Sequence, residues 1–362
     1  EHVVAPNFYT RKFYSNIKNK FSSGIELSIV GLTRDRKDNN FRINSSIDAK
    51  KFWHTNSGVQ FKGVGKFSSS FYRIQKPENE IDFLEYYNPT LVFELNLPLY
   101  KKKNNRVDLI EPVLQLIYNP DFSATNIVPN EDSQQIKLDQ TSLFSTNRFS
   151  GLDRQEYGLR LNSGLNYSVE NNGPFSYDLA IGQVFREVDS MQFSEGSGLS
   201  GLKSNILIAA SVDYKNSINI NAQQLFDQDF SLKQAESAFT YIEENKSFSS
   251  GLVYSSADPN EGRLSDLTEL TIGLNSSLDT NWDTQLNIRR NLKENENINA
   301  IFGIAYENEC SKINLTFNRR FSATATLPED TKIEITFDFN GLGNKRRSVN
   351  KSSCSLYKNG FF

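Results

Sequence analysis

Period-two alternation of apolar and polar residues runs through most of this chain and constrains its fold more than any other feature. From Tyr157, the residues Tyr157, Leu159, Leu161, Leu165, Tyr167 and Val169 interleave with Gly158, Arg160, Asn162, Gly164, Asn166, Ser168 and Glu170. Successive side chains of a strand point to opposite faces, so such a run has one apolar and one polar side. The pattern returns in Leu91, Phe93, Leu95, Leu97 and Leu99, in Leu270, Ile272 and Leu274, and in Ile298, Ala300, Phe302, Ile304 and Tyr306. It continues in Ile313, Leu315 and Phe317, and in Ile333, Ile335, Phe337 and Phe339, whose other face carries Lys332, Glu334, Thr336 and Asp338. No stretch of similar length repeats at helical spacing, which predicts an all-β chain without a helical domain.

The runs number roughly sixteen or seventeen, each about as long as a tilted strand needs to cross a bilayer. Tight polar turns are predicted near Ser22-Ser23-Gly24, Thr55-Asn56-Ser57-Gly58, Lys102-Lys103-Asn104-Asn105, Asn171-Asn172-Gly173, Lys215-Asn216-Ser217, Asn245-Lys246-Ser247, Thr280-Asn281 and Asn308-Glu309. Between them lie longer connections at 35–40, 76–86, 121–154, 189–204, 258–266 and 323–330; two others of this class, near Asp229 and Glu294, stay short. Short turns on one rim and long loops on the other are the arrangement of an outer-membrane barrel. A soluble sandwich or a solenoid also alternates, but does not segregate its connections in this way. The predicted fold is an antiparallel transmembrane outer-membrane β-barrel, present in part.

A mean hydropathy of −0.52 is compatible with that fold, because a barrel wall averages out polar even though one of its faces meets lipid. With 40 basic and 43 acidic residues, the chain offers no basic footprint for nucleic acid. It begins Glu1-His2-Val3-Val4, without Met or a charged-then-apolar leader, and is expected to be a mature or trimmed piece of something longer. The two histidines, His2 and His54, lie at the chain end and beside a turn, away from any nucleophile they would activate. No His/Cys/carboxylate cluster has metal-ligand spacing and no Gly-rich phosphate loop follows a strand, so neither an enzyme nor a cofactor or metal site is expected.

One connection is unlike a generic barrel loop. It reads Asn130-Glu131-Asp132-Ser133, then Thr141-Ser142-Leu143-Phe144-Ser145, then Asn147-Arg148-Phe149-Ser150-Gly151-Leu152-Asp153-Arg154. Ile110-Glu111-Pro112-Val113 precedes it; Gly182-Gln183-Val184-Phe185-Arg186 and Phe193 with Ser197-Gly198-Leu199 follow. Near the end come Tyr306-Glu307-Asn308-Glu309-Cys310, Arg319-Arg320-Phe321 and Gly341-Leu342-Gly343. In order and spacing these stretches resemble the LptD family of lipopolysaccharide-assembly proteins, also called organic solvent tolerance proteins. The resemblance is firm from about Pro89 to Gly343 and thin before that.

That resemblance implies residues 1–343 as the C-terminal part of the barrel and 344–362 as a periplasmic tail. A periplasmic jellyroll and the first strands of the family's barrel of about twenty-six strands are then missing upstream. The implied function is insertion of lipopolysaccharide into the outer leaflet, with sugars passing through the lumen and acyl chains leaving through a lateral gate. The gate strand would be 331–340, bearing Ile333, Ile335, Phe337 and Phe339. Implied partners are lipopolysaccharide, outer-membrane lipids, an LptE-like lipoprotein plug, and a periplasmic bridge reached through the missing N-terminal domain. A diffusion porin or substrate-specific channel is the alternative, and an adhesive surface barrel a third.

Cys310 and Cys354 suit an oxidising compartment. Strand parity puts both on the short-turn rim, where they can meet. The resemblance implies a second option, pairing of Cys310 with a cysteine of the missing region, although Ser311 stands where well-known members have an adjacent second cysteine. A free thiol is the remaining reading. In the signature loop, Glu131, Asp132 and Asp153 suggest either a divalent-cation site or, more simply, solvated turn and capping interactions. Arg148 and Arg154 are expected to pair with those carboxylates and fold the loop inward as a structural lid. Lys101, Lys102, Lys103 and Arg106 flank a turn, as a solvated cluster or a contact for lipid phosphates.

Overall fold

The computed structural model of the protein describes residues 2–34, 38–76, 80–103, 106–120, 128–171, 173–259, 262–308, 311–322 and 328–339. The described residues are all-β and form eighteen antiparallel strands. These are β1 (His2–Asn16), β2 (Phe21–Arg34), β3 (Asn39–His54), β4 (Gln60–Gln75), β5 (Ile81–Asn96), β6 (Leu99–Lys103), β7 (Arg106–Asn119), β8 (Gly158–Asn171) and β9 (Phe175–Arg186). They continue as β10 (Ile206–Tyr214), β11 (Ile218–Phe226), β12 (Leu232–Glu243), β13 (Lys246–Ser255), β14 (Leu267–Ser277), β15 (Trp282–Asn291), β16 (Glu296–Glu307), β17 (Ser311–Arg320) and β18 (Asp330–Phe339). A 3-10 turn, Glu195–Ser197, follows β9.

The chain divides into two compact units. One comprises 1–210, 223–233 and 258–263, the other 211–222, 234–257 and 264–362. In the first unit β1 to β5 pair each with the next, and β7 pairs with β8 and β8 with β9. β5 and β6 lie in line along β7, interrupted at Leu97-Pro98 because proline brings no N–H to the ladder. The Leu97 N–H still reaches the Pro112 carbonyl at 3.1 Å. Counting β5 and β6 as one crossing reduces the eighteen strands to seventeen, the upper figure expected from the alternation.

The first unit inverts the burial of a soluble sheet. On one face of β3, β4 and β7, polar residues are covered: Asn40, Arg42, Asn44 and Ser46, then Ser68 and Ser70, then Gln115 and Asn119. The opposite face leaves large apolar side chains bare, with Phe83 at 61% and Leu91 at 60% exposure. Aromatic pairs stud this bare face, among them Phe71–Phe83 with ring centroids 5.8 Å apart and Phe67–Tyr87 at 6.2 Å. A soluble sandwich buries its apolar stripe and hydrates its polar one. An apolar stripe left bare along adjoining strands marks a surface for lipid or another protein rather than for water, as on the outer face of a barrel wall.

The second unit shows the same two-sidedness in its register. Phe248, Leu274, Leu286, Phe302, Phe317 and Ile333 are cross-strand partners in one unbroken row from β13 to β18. One residue along each strand, Ser247, Asn275, Gln285, Gly303, Thr316 and Glu334 form a parallel row on the other face. A slip of one residue in any strand would mix the two rows, so the pattern itself fixes the pairing.

Several connections are displaced from their expected positions. Ser22-Ser23-Gly24 belong to β2, opposite Ser15, Tyr14 and Phe13, and the turn precedes them. It is closed by the Lys20 N–H to Ile17 O bond of 3.2 Å, with Lys20 at φ 49°. Gly24 lies inside the strand rather than at a turn, where the Asp48 and Arg11 side chains close over it; a Cβ there would fall 2.7 Å from Asp48 Oδ1. Likewise Ile81 to Tyr86 extend β5, Lys102 and Lys103 lie in β6, and Lys246 and Ser247 open β13. The turns at Thr55 to Gly58 and Lys215 to Ser217 fall where expected.

Candidate functional site

The described stretch 128–157 of the connection between β7 and β8 carries the signature residues, and it folds back over the polar face of the first unit. Two ionic clamps hold it there. At the first, Asp153 Oδ2 accepts the backbone N–H groups of Glu131 (2.8 Å) and Asp132 (3.1 Å), while its Oδ1 accepts the Tyr72 hydroxyl at 2.9 Å. Arg42 of β3 bridges Asp153 and Asp132, lying 2.8 Å from Asp132 Oδ2. Arg34, at the end of β2, grips Glu131 with both guanidinium nitrogens. Planar two-pronged pairing of this kind fixes direction as well as distance. Burial, together with the neighbouring Asp132, raises the Asp153 carboxyl above its ordinary range despite Arg42. Burial also pushes Asp132 up, but the Leu152 N–H and Arg42 outweigh it and leave that carboxyl lowered.

At the second clamp a single carboxylate, Glu156, is surrounded by three arginines. Arg148 donates through Nη1 to both of its oxygens at 3.0 and 2.9 Å, Arg186 of β9 donates at 3.0 Å, and Arg160 of β8 lies at 3.5 Å. Arg148, Arg160 and Glu156 are at most 1% exposed. Three cations on one anion leave a surplus of positive charge, and burying that surplus is costly unless polar groups absorb it. Backbone carbonyls do so: Arg148 donates to Ser142 O and Leu143 O, Arg160 to Thr146 O and Glu156 O, and Arg186 to Leu199 O. The same arginines thereby tie down three stretches of irregular backbone. Burial pushes Glu156 up, yet the summed field of Arg160, Arg148 and Arg186 overcomes it and holds the carboxyl below its ordinary range.

Between the clamps the loop packs. Leu138, Leu143, Phe149, Val184, Phe193, Leu199, Leu207 and Leu225 form a buried cluster with Phe144 against it. The seat for Leu143 and Phe144 is a pair of facing glycines, Gly164 of β8 and Gly182 of β9. A Cβ at Gly164 would come within 2.7 Å of Phe144 Cζ, and one at Gly182 would overlap the Leu143 side chain. The Phe149 and Phe193 rings stack at 5.1 Å, and the Arg186 guanidinium lies 5.0 Å over Phe193. The connection after β9 is thus fastened to the signature loop in one packed cluster.

The expected site residues therefore assemble, but with different partners. Arg148 pairs with Glu156 instead of Glu131, Asp132 or Asp153, because those three are already held by Arg34, Arg42 and backbone N–H groups. Capping bonds of the expected kind are present, but Asp153 is 1% exposed rather than solvated, with the Arg42 guanidinium beside it. Arg154 contributes backbone rather than charge, its N–H to Ser133 Oγ and its carbonyl to Asn147. Asn130 Oδ1 caps the Ser133 N–H, and Asn147 spans the loop to the Glu156 N–H at 2.9 Å. Gly151, at φ 75° and pressed on Asp132, admits no side chain.

In the second unit Ile333, Ile335 and Phe337 of the expected gate strand are exposed, and Phe339 is the last residue of β18. Arg106 pairs with Asp108 at 2.7 Å. Cys310, Cys354, residues 341–343 and the tail 344–362 lie outside the described residues. Sequence reading missed Arg34, Arg42, Tyr72, Glu156 and Arg160 as holding residues. The available signal was an arginine on the polar face of an alternating strand, as in Phe41-Arg42-Ile43-Asn44, where serine or asparagine would suffice for hydration.

The family description "LptD: LPS transport system D" matches residues 3–292. The match thus reaches into the N-terminal strands, where the motifs were thin. Among curated relatives, the LPS-assembly protein LptD of Aeromonas hydrophila is 25% identical over 70% of this chain and 32% of its own length. That of Pseudoalteromonas translucida is 24% identical over 67% and 33%, and that of Psychrobacter arcticus 22% identical over 56% and 22%. The chain spans about a third or less of the length of these relatives. Among solved structures, a triple mutant of Rhodopseudomonas blastica porin aligns with TM-score 0.31 and 12% identity over 94% of this chain and 99% of that one. The copper transporter OprC aligns with TM-score 0.38 and 9% identity over 87% and 59%. With the match covering most of its residues, this chain belongs to the LptD family, LPS transport system D.

Proposed function

We propose that this chain is the C-terminal part of an outer-membrane wall through which lipopolysaccharide reaches the outer leaflet, and that it transports rather than catalyses. The observation that carries the reading is the two-faced sheet of a family member, apolar where bare and polar where covered. A polar interior hydrates sugars, while acyl chains need an apolar path. In this reading the sugars pass along the polar face and the acyl chains leave beside β18, with Ile333, Ile335, Phe337 and Phe339 on one lip of a lateral gate. Opening a wall breaks ladder hydrogen bonds that lipid cannot replace, so the exit has to be a short seam. The clamped stretch 128–157 serves as a lid on the polar face.

Residues 1–343 form wall and 344–362 a periplasmic tail. Cys310 pairs either with Cys354 or with a cysteine of the preceding region, and an LptE-like lipoprotein and the periplasmic bridge engage the whole protein. Depleting the full-length protein tests the reading: lipopolysaccharide is then stranded in the periplasm. Unchanged surface lipopolysaccharide with lowered uptake of small solutes would indicate a diffusion porin.

A further inference from the structure

The second unit contains a cavity of about 580 Å³ on its polar face, near the short turns at Glu244-Asn245 and Asp279 to Asn281. That size is within the range of about 300–1,000 Å³ typical of small-molecule sites. Its floor is a gap in side chains. Gly303 and Ala305 of β16 face Gln285 and Asp283 of β15 on one side and Thr316 and Asn314 of β17 on the other. Two small residues in alternate positions leave a trough with polar walls. The Gln285 side chain lies across the glycine, where a Cβ on Gly303 would meet its Nε2 at 2.6 Å.

Two properties of the lining define what fits. Its charges cancel, with Glu244 and Asp283 against Lys246 and Lys312. Lys312 is further neutralised by Glu307 at 2.7 Å, and Asp283 accepts the Ser277 hydroxyl. A phosphate or a carboxylate therefore finds no net attraction. By contrast, the side chains of Gln285, Asn314, Thr316 and Thr336 line the trough with no hydrogen-bond partner among the described residues. Amides and hydroxyls both donate and accept, as sugar hydroxyls do. The geometry points to a subsite for an uncharged sugar, one or two hexose-like rings seated in the Gly303–Ala305 trough between the Gln285 and Asn314–Thr316 walls. It rests on the transport reading and adds a resting place for the glycan near the short-turn rim. A passage needs binding weak enough to release, and a few exposed hydrogen bonds with no aromatic platform provide that.

The test uses the purified full chain in a detergent without a sugar head group, titrated with maltoheptaose and followed by saturation-transfer NMR. Saturable binding is expected, weakened about five- to tenfold in Asn314→Leu with Thr316→Val, the loss that one or two net hydrogen bonds give. Asn287→Leu, on the same face outside the lining, should leave it unchanged. Absent binding, or binding that the paired substitution does not move, overturns the subsite. Gln285→Ala keeps the trough open and guards against misfolding of the paired variant, and it too should weaken binding. The transport reading is judged separately by lipopolysaccharide display on depletion, so either can fail alone.

Discussion

Glu156 in the loop and Arg186 at the end of β9 meet at 3.0 Å, both nearly free of solvent, and this contact joins two connections that the sequence separates by a whole hairpin. Replacing Glu156 by glutamine would leave Arg148, Arg160 and Arg186 facing one another without their shared anion. Removing one partner of a buried pair costs about 3–5 kcal/mol. Glu156→Gln is therefore expected to release residues 138–157 and 193–201 together, measured as simultaneous loss of hydrogen-exchange protection in both segments. Arg148→Lys should behave almost as badly, because an ammonium cannot supply the forked donors to Glu156, Ser142 and Leu143 at once.

The glycine seat gives a steric prediction. Gly182→Val places branched carbon where Leu143 lies, and Gly164→Ala crowds Phe144. Overpacking typically costs about 1–3 kcal/mol. In the full-length protein both variants should reach normal levels yet, on the proposed lid role, admit large antibiotics, read as lowered inhibitory concentrations. Gly65→Ala, where the nearest atom is 3.9 Å away, is the silent control.

The fold was largely legible because alternation survives any tertiary context: a wall with two solvents must alternate. The clamps were less so. Asp153 and Arg148 stood out within a motif, but their partners Arg42 and Glu156 look like ordinary polar residues until the loop is seen to fold back across β3, β8 and β9. Non-local pairing leaves no local signature. The Ser22–Gly24 turn was misplaced for the opposite reason. A local turn composition marked what is in fact a close approach of Asp48 to a strand glycine.

Acid should loosen the lid. The Glu156 carboxyl is held below its ordinary range, so its contribution is fully present above the unfolded value of about 4.3 and is lost as pH falls through the lower folded value. Asp153, raised in the fold, runs the other way: its contribution is fully present below its ordinary value and is lost as pH rises through the raised folded one. Protease sensitivity of the loop should accordingly rise as pH falls below the ordinary glutamate range, and Glu156→Gln should be sensitive at neutral pH.

Both tryptophans sit beside short turns: Trp53 next to the turn at Thr55 to Gly58, and Trp282 after the one ending at Asn281. Each is on an apolar row, Trp53 near Gly63 and Trp282 packed on Tyr306 with centroids 5.0 Å apart. Aromatic girdles lie at membrane interfaces. In reconstituted full-length protein, lipids brominated near the head group should quench both fluorophores, and lipids brominated at the acyl terminus should quench neither.

A disulfide engineered between β18 and the first strand of the full-length barrel is expected to block display of lipopolysaccharide under oxidising conditions and to restore it on reduction. Display that persists with the bond formed removes β18 from the exit.

The most direct measurement concerns which rim faces the outside. Cysteines are placed singly at Ser57, in a short turn, and at Met191, 87% exposed in the connection after β9, and intact cells are treated with a membrane-impermeant maleimide. Labelling of Met191→Cys, with Ser57→Cys reached only after the outer membrane is opened, is the predicted result. Labelling of Ser57→Cys on intact cells while Met191→Cys stays protected would contradict a wall whose lid faces outward.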